Sequence, residues 1–234
     1  MKAINLISSP RNISTAIMYS FNNRSDTKVI DEPFYGYYLN QAARKHPGHE
    51  EIISSMECEW DKIIENINVG SEKSQVLLVK NMAHHLLEED LDFLNDWTNV
   101  LLIRNPKQLI ASFHQVIPNP KMEEVGIKKQ WELFQQTKNT IVLDTNEVLK
   151  NPRVVLTELC ARLDIPFSEE MLAWKAGAIE ADGIWAKHWY KNVHNSSGFS
   201  IQKTSDRELP VSCEPLYKES LPYYKELFSN AIKA

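Results

Sequence analysis

Short apolar runs alternate with helical patterns along most of this chain, and this alternation constrains the fold more than any other feature. The runs lack the polar alternation of a half-exposed strand and fall at residues 3–7, 28–30, 75–79, 99–103 and 140–143. Continuous apolar strands are typical of a parallel sheet covered on both faces. Helical patterns lie between and beyond them, at residues 14–23, 35–45, 50–68, 90–95, 106–116, 122–138 and 152–163. The sequence therefore predicts a three-layer α/β fold of the P-loop NTPase-like kind, with a central parallel sheet of about five strands.

Length and composition predict one domain. A chain of 234 residues, 43% of them hydrophobic, is long enough for one well-buried core and short for two. We expect a single domain over residues 1–234, with a loop-rich cap segment at residues 174–215 and a C-terminal helix at residues 216–234.

Charge and cysteine content narrow the class of protein. The net charge of −5 and the pI near 5.8 argue against an extended nucleic-acid surface. Cys58, Cys160 and Cys213 are odd in number and far apart, which favours reduced thiols over a disulfide framework or a zinc site. The first apolar run is about five residues long, too short for a signal peptide or a membrane span. We expect a cytoplasmic protein with a small-molecule partner and no membrane or nucleic-acid partner; the sequence leaves its oligomeric state open.

The segment from Leu6 to Met18 predicts an anion site. It reads as a buried strand, a polar loop and a helix with Ser14 and Thr15 in its first turn. Free backbone N–H groups and the positive end of the helix dipole then point at one place, which suits a phosphate. The Walker pattern is absent, because the loop has no glycine and Arg11 stands three residues before Ser14.

A second strand, turn and helix follow at residues 99–113. Arg104 ends the strand, Asn105 is a plausible N-cap and Pro106 suits the first helical position. Ser112 lies about two turns into the helix, so Arg104 and Ser112 can converge on one anion.

Together the two segments resemble the sulfotransferases that use 3′-phosphoadenylyl sulfate (PAPS). The first loop of that family typically reads P-[KR]-S-G-T-T, and the chain has Pro10-Arg11-Asn12-Ile13-Ser14-Thr15, with Asn12 for Ser and Ile13 for Gly. The second family motif is R-[ND]-P with a Ser eight positions after the Arg, as in Arg104-Asn105-Pro106 and Ser112. The chain is similar to a small branch whose loop reads P-R-N-x-S-T.

The resemblance implies PAPS as co-substrate, PAP as product, and sulfuryl transfer to a hydroxyl or amine of a small molecule. It places the 5′-phosphosulfate on residues 11–15 and the 3′-phosphate on Arg104 and Ser112. It also implies that a C-terminal loop closes over the nucleotide. Ser196, Ser197 and Gly198 are then candidates for the 3′-phosphate, and Trp185 or Trp189 for stacking on adenine.

Catalysis of such a transfer is mainly positioning and electrostatic stabilisation, together with a base for the acceptor. Arg11 is a candidate for stabilising the leaving phosphate, and Lys80 for approaching the bridging oxygen. Glu32, which follows the second strand, is our first candidate for the base, with Asp31 as its neighbour. His84 and His85 are the other candidates, because cytosolic sulfotransferases use a His after the equivalent strand. Four aromatic residues are candidates for lining the acceptor pocket: Phe34, Tyr35, Tyr37 and Tyr38.

Two alternatives remain open at this point. A P-loop-type small-molecule kinase would need a lysine in the phosphate loop and an Asp for magnesium. The loop has no lysine, whereas Asp31 or Asp144 could bind the magnesium ion. A catalytically inactive nucleotide-binding protein would fit two departures from the family, Ile13 in the first loop and the absence of the K-[TS]-H segment that cytosolic sulfotransferases have after the equivalent strand. We expect no metal in the sulfotransferase, since side chains supply the cations.

Overall fold

Six parallel strands form one sheet in the computed structural model, which describes residues 1–42, 45–70, 74–87, 91–200 and 207–234. The strand order is β2-β3-β1-β4-β5-β6. The strands are β1 Lys2–Ser8, β2 Thr27–Asp31, β3 Val76–Met82, β4 Thr98–Ile103, β5 Ile141–Asp144 and β6 Ala231–Ile232. The α/β fold class with a central parallel sheet is confirmed.

Helices cover both faces of the sheet. They are α1 Ser14–Asn22, α2 Tyr35–Gln41, α3 His49–Ser55, α4 Trp60–Gly70, α5 Pro106–Phe113, α6 Met122–Val125, α7 Ile127–Gln136, α8 Thr145–Lys150, α9 Pro152–Arg162, α10 Ala186–Trp189, α11 Lys191–His194 and α12 Glu214–Ser229. Successive residues of β4 enter opposite cores: Leu102 packs with α1 and α9, whereas Leu101 packs with α5 and α12. Burial on both faces explains why the strands are apolar without alternation.

Several boundaries differ from the sequence prediction. The sheet has a sixth strand, because the C-terminal helix ends at Ser229 and Ala231 pairs with Val142 of β5. The pattern at residues 50–68 forms two helices, α3 and α4, and that at 122–138 breaks at Gly126, whose φ is 74°. A 3-10 turn at Asp92–Asp96 replaces the helix predicted at 90–95. Residues 43–44 of the predicted 35–45 helix, Asp90, and residues 201–206 of the cap segment lie outside the described residues.

A buried glutamine ties the end of β1 to β4 and α7. The Gln130 amide nitrogen donates to the carbonyls of Ile7 and Leu102, both at 3.0 Å, and its oxygen accepts from the Ser9 hydroxyl at 2.8 Å. Gln130 is fully buried. These bonds fix the point at which the chain leaves β1 and enters the predicted phosphate loop.

Within the part of the chain that the structure describes, no helix is long and apolar enough to span a bilayer. The described His, Cys, Asp and Glu side chains form no group of three that could hold a metal ion.

Candidate active site

One cavity of about 190 Å³ opens at the carboxyl ends of the strands, between the sheet and the cap segment. Ligands of open parallel sheets bind at this edge. The residues at one end, Arg11, Arg104 and Arg207, form what we call the guanidinium end. Glu32, His84 and His85 line the other end, which we call the carboxylate end.

The loop between β1 and α1 has an unusual backbone. Arg11 and Ile13 adopt positive φ angles of 62° and 56°, and Ile13 is the N-cap of α1. This is the conformation that glycine favours, and an L-residue there costs about 1–2 kcal/mol. No side chain caps α1 among the described residues, so the amides of its first turn are available to an anion in the cavity.

The two motifs that the sequence predicts to bind phosphates meet at the guanidinium end. The Arg11 Nε donates to the Ser112 hydroxyl at 3.2 Å, and the Arg104 Nη1 donates to the Arg11 carbonyl at 2.6 Å. Arg104 and Ser112 are 6% and 5% exposed. Asn105 caps α5 by accepting from the Lys107 amide at 3.0 Å, so the helix start next to Arg104 is fixed. Residues that are about 90 positions apart in the sequence therefore face one point in the cavity.

Positive charge at the guanidinium end is not balanced by carboxylates facing it in the described cavity lining. Burial lowers the pKa of Arg11, and the charge of Arg207 lowers it further. Burial and the charges of Arg11 and Arg207 lower the pKa of Arg104, partly offset by Asp144. Both guanidiniums keep their charge, since arginine does not deprotonate in proteins. Such a cluster is stabilised by an anion.

Two buried polar atoms next to this cluster have no hydrogen-bond partner within the described residues: the Arg104 Nε and the Asn12 Oδ1. Buried polar atoms are rarely left unpaired, so each of these two requires a partner that the described residues do not supply. The Asn12 amide nitrogen donates to the Leu102 carbonyl at 2.8 Å, which anchors the loop to β4. Ile13, Ser14 and Thr15 also line the cavity.

Arg207 was missed by the sequence analysis. It lies in the cap segment, about 100 residues from Arg104, with no motif around it. The one signal was its place in a segment that the family resemblance assigns to nucleotide closure.

Behind the carboxylate end lies a buried charge cluster. The Lys80 ammonium donates to Asp31 Oδ1 at 2.8 Å, to Glu32 Oε1, and to the Tyr190 hydroxyl at 2.7 Å. Tyr190 in turn donates to Asp31 Oδ2 at 2.7 Å and accepts from the Trp185 Nε1 at 3.1 Å. Asp31 and Lys80 are paired neighbours of β2 and β3, so the strand register creates the ion pair.

This placement corrects the role predicted for Lys80. The residue is 0% exposed, it is absent from the cavity lining, and its ammonium is occupied by three oxygens. It holds Glu32 in place and does not reach a bridging oxygen in the cavity.

Glu32 is the carboxylate that faces the cavity, whereas Asp31 does not line it. Glu32 has a φ of 42°, an unusual backbone angle that turns the chain immediately after β2. Burial raises the pKa of Glu32, Lys80 opposes the shift and Asp31 adds to it. A carboxylate with a raised pKa is a better proton acceptor, which suits a general base.

His84 and His85 lie in a 3-10 turn after β3 and line the cavity. Burial, with a smaller effect of the nearby His46, lowers the pKa of His84 to about 3. Burial, with smaller effects of His84, His46 and Lys80, lowers the pKa of His85 well below its usual value. Both imidazoles are therefore neutral near pH 7. The His85 ring packs against both Tyr35 and Tyr38, with centroid distances of 4.7 and 4.8 Å.

Of the residues predicted to bind the nucleotide from the cap segment or to line the acceptor pocket, some line the cavity and others do not. Trp189, Ser196 and Gly198 line the cavity together with Tyr35. Five others do not. Trp185 is buried and donates to the Tyr190 hydroxyl, and the Ser197 carbonyl accepts from the Trp174 amide. Phe34 packs on Trp60 on the far face of the sheet. Tyr37 and Tyr38 do not line the cavity. The predicted direct roles of these five residues are corrected accordingly.

Comparisons with known proteins identify the family of the chain. A family model described as Sulfotransferase domain matches residues 1–231. Branched-chain-amino-acid aminotransferase-like protein 1 of Arabidopsis thaliana is 37% identical over 228 residues, a match that covers 95% of this chain and 41% of that protein. The chain thus spans about two fifths of the length of the curated relatives it matches.

Solved structures show the shared fold. The sulfotransferase domain from the curacin biosynthetic pathway superposes with a TM-score of 0.59 at 16% identity, over 97% of both chains. The corresponding domain of the Synechococcus PCC 7002 olefin synthase gives a TM-score of 0.56 at 15% identity, over 94% of both chains.

Proposed function

The chain belongs to the sulfotransferase family, and we propose that it transfers a sulfuryl group from PAPS to a hydroxyl of a small-molecule acceptor. The observation that carries the proposal is the meeting of Arg11, Arg104 and Ser112 in the same cavity as Glu32. A cationic end suits a nucleotide with several phosphates, and a carboxylate end suits an acceptor that must lose a proton.

The residues present fit PAPS on chemical grounds. When bound, PAPS supplies the sulfuryl group and leaves as PAP. In this proposal, Arg11 and the first-turn amides of α1 bind its 5′-phosphate and stabilise the charge that develops there. In this proposal, Arg104, Ser112 and Arg207 bind the 3′-phosphate; the buried Arg104 Nε, which has no partner within the described residues, supports this role.

Glu32 is the proposed general base. The acceptor oxygen forms a bond to sulfur while its proton moves to the Glu32 carboxylate and the bond from sulfur to the 5′-phosphate oxygen breaks. The buried Lys80 and Tyr190 orient Glu32 by binding its Oε1. Since Oε1 is occupied, Oε2 is the oxygen left for the acceptor.

Glu32→Gln tests this proposal, because the amide keeps the shape of the side chain and cannot take the proton. We expect the variant to bind PAP as the wild type does in calorimetry, and to lose about 10²–10⁴-fold in PAP release from PAPS with an acceptor. Asp61→Asn, at the exposed start of α4, is the matched carboxylate control and should leave both values unchanged.

A wild type that binds PAP but releases none from PAPS with any acceptor of a broad panel would instead support a nucleotide-binding protein without transferase activity. Equal turnover by wild type and Glu32→Gln would remove Glu32 from the mechanism.

A further inference from the structure

Two side chains from neighbouring strand ends hold the backbone of the loop between β1 and α1. The Thr145 hydroxyl donates to the Asn12 carbonyl at 3.2 Å, and the Arg104 Nη1 donates to the Arg11 carbonyl at 2.6 Å. Thr145 follows β5 directly and Arg104 follows β4 directly, and these two strands pair in the sheet. Two consecutive carbonyls of the loop are therefore bound by residues whose positions the sheet fixes.

Asn12 is anchored through its side chain as well as its backbone. Its side-chain amide donates to the Leu102 carbonyl of β4 at 2.8 Å, while its own carbonyl accepts from Thr145. Asn12 is 1% exposed and Thr145 is 0% exposed, so water does not compete for these bonds. Loss of a buried hydrogen bond leaves its acceptor unpaired, which costs more than loss of an exposed one. The peptide group between Asn12 and Ile13 is thus held in one orientation.

That orientation turns the Ile13 N–H toward the cavity. In a trans peptide the carbonyl and the following N–H point in opposite directions. The Asn12 carbonyl points at Thr145, which does not line the cavity, whereas Ile13 does line it. The Ile13 N–H has no hydrogen-bond partner within the described residues. It is an available donor at the start of α1, where the helix dipole also favours an anion.

The same anchors oppose the backbone strain of the loop. Arg11 and Ile13 have φ angles of 62° and 56°, which a residue with a Cβ keeps only where its surroundings impose them. The P-[KR]-S-G-T-T pattern has glycine at the position of Ile13, and glycine adopts such angles without strain. Here the bonds to the Arg11 and Asn12 carbonyls hold the chain that leads into Ile13.

Resting on the proposed function, we infer that Thr145 is a positioning residue for the 5′-phosphate of the nucleotide. Its hydroxyl holds the peptide group between Asn12 and Ile13 so that the Ile13 N–H donates to that phosphate. Thr145 itself does not line the cavity, so its effect passes through the loop. The 3′-phosphate is bound elsewhere in the proposal, and its contribution does not depend on Thr145.

Two adenine nucleotides separate this role from a general effect on the fold. PAP carries both phosphates, whereas adenosine 3′-monophosphate lacks the 5′-phosphate. The ratio of their dissociation constants therefore measures what the 5′-phosphate contributes to binding. Calorimetry determines this ratio for the wild type, Thr145→Val and Thr145→Ser. Val keeps the shape of the side chain without its hydroxyl, and Ser keeps the hydroxyl.

We expect Thr145→Val to weaken PAP binding about fivefold, the usual weight of one hydrogen bond, and to leave the affinity for adenosine 3′-monophosphate unchanged. Thr145→Ser should keep the wild-type ratio. Thr137→Val is the matched control, because the Thr137 hydroxyl donates to the Leu133 carbonyl at 2.6 Å and Thr137 does not line the cavity. This control should leave the ratio unchanged. A purely structural role of Thr145 would change the affinities for both nucleotides by the same factor.

The inference is overturned if Thr145→Val keeps the wild-type ratio, if Thr145→Ser lowers it as much as Thr145→Val does, or if Thr137→Val lowers it equally. It is also overturned if the wild type binds adenosine 3′-monophosphate as tightly as PAP, because the loop would then gain nothing from the 5′-phosphate. Failure of the wild type to bind either nucleotide is a different result, which overturns the proposed function and this inference with it. If Thr145→Val does not fold, Thr145→Ala removes the same hydroxyl and decides the inference by the same ratio.

Discussion

Replacing Lys80 by Met should destabilise the protein by about 3–5 kcal/mol at neutral pH, the usual loss when one partner of a buried ion pair is removed. The Lys80 side chain is 0% exposed and binds Asp31 at 2.8 Å, Glu32, and the Tyr190 hydroxyl at 2.7 Å. Met fills most of the same volume, so the loss reports mainly on charge. For a chain of this length, the expected decrease in melting temperature is roughly 6–20 °C.

The loss should depend on pH in a defined direction. The pKa of Glu32 in the folded protein lies above its ordinary value of 4.5, mainly because Glu32 is buried. Its contribution to stability is therefore complete below pH 4.5 and is lost as the pH rises through the folded pKa. Without the ammonium this pKa rises further, so the difference between variant and wild type should shrink as the pH falls toward about 4.

Urea denaturation of both proteins from pH 4 to pH 8 measures this difference. Lys62→Met is the control, because Lys62 forms a solvent-exposed ion pair with Glu59 at 2.8 Å and its replacement should leave the free energy of unfolding unchanged. A loss below about 1 kcal/mol for Lys80→Met, or a loss of the same size at every pH, would refute the reasoning.

Three further predictions rest on other contacts. Gln130→Leu should cost about 2–4 kcal/mol in denaturant titrations, because it removes three buried hydrogen bonds, those to the Ser9 hydroxyl, the Ile7 carbonyl and the Leu102 carbonyl, of which the last keeps its bond from Asn12; Gln135→Leu, at an exposed contact, is the control. Tyr190→Phe should slow PAP release from PAPS and leave the PAP affinity measured by calorimetry unchanged, since the lost hydroxyl holds the base and not the nucleotide. Equal losses in the rate of PAP release and in PAP affinity would contradict this role of Tyr190. The rate of PAP release plotted against pH should fall on the acidic side with a midpoint above pH 4.5, because the base must be unprotonated and burial raises the pKa of Glu32. A midpoint at or below pH 4.5 would contradict this prediction.

The central fold could be predicted from the sequence because it depends on local patterns. Apolar runs bounded by polar residues located five of the six strands. The strand β6 was missed because two residues after a helix carry too little pattern, and its pairing with β5 depends on tertiary contact. The break at Gly126 comes from one residue with a φ of 74°.

The two loops proposed to bind phosphates could be located from the sequence for a similar reason, because each is a short strand-to-helix turn with its residues consecutive in the chain. The carboxylate end could be predicted from the sequence only in part. The sequence identified both Asp31 and Lys80 as candidates for the active site, but their ion pair depends on β2 and β3 being neighbours in register. Tyr190 and Arg207 come from the cap segment, where residue type alone does not show which side chain turns inward.

The most direct test of the account is a calorimetric titration of the wild type, Arg104→Ala and Arg162→Ala with PAP and AMP, and of the wild type with ATP and magnesium. Arg162 forms an exposed ion pair with Glu158 on α9 and is the matched arginine control. We expect PAP to bind the wild type and Arg162→Ala much more tightly than AMP does, and Arg104→Ala to erase that difference by losing the 3′-phosphate contact. Tighter binding of ATP with magnesium than of PAP, or an unchanged preference in Arg104→Ala, would contradict the assignment of this cavity to PAPS.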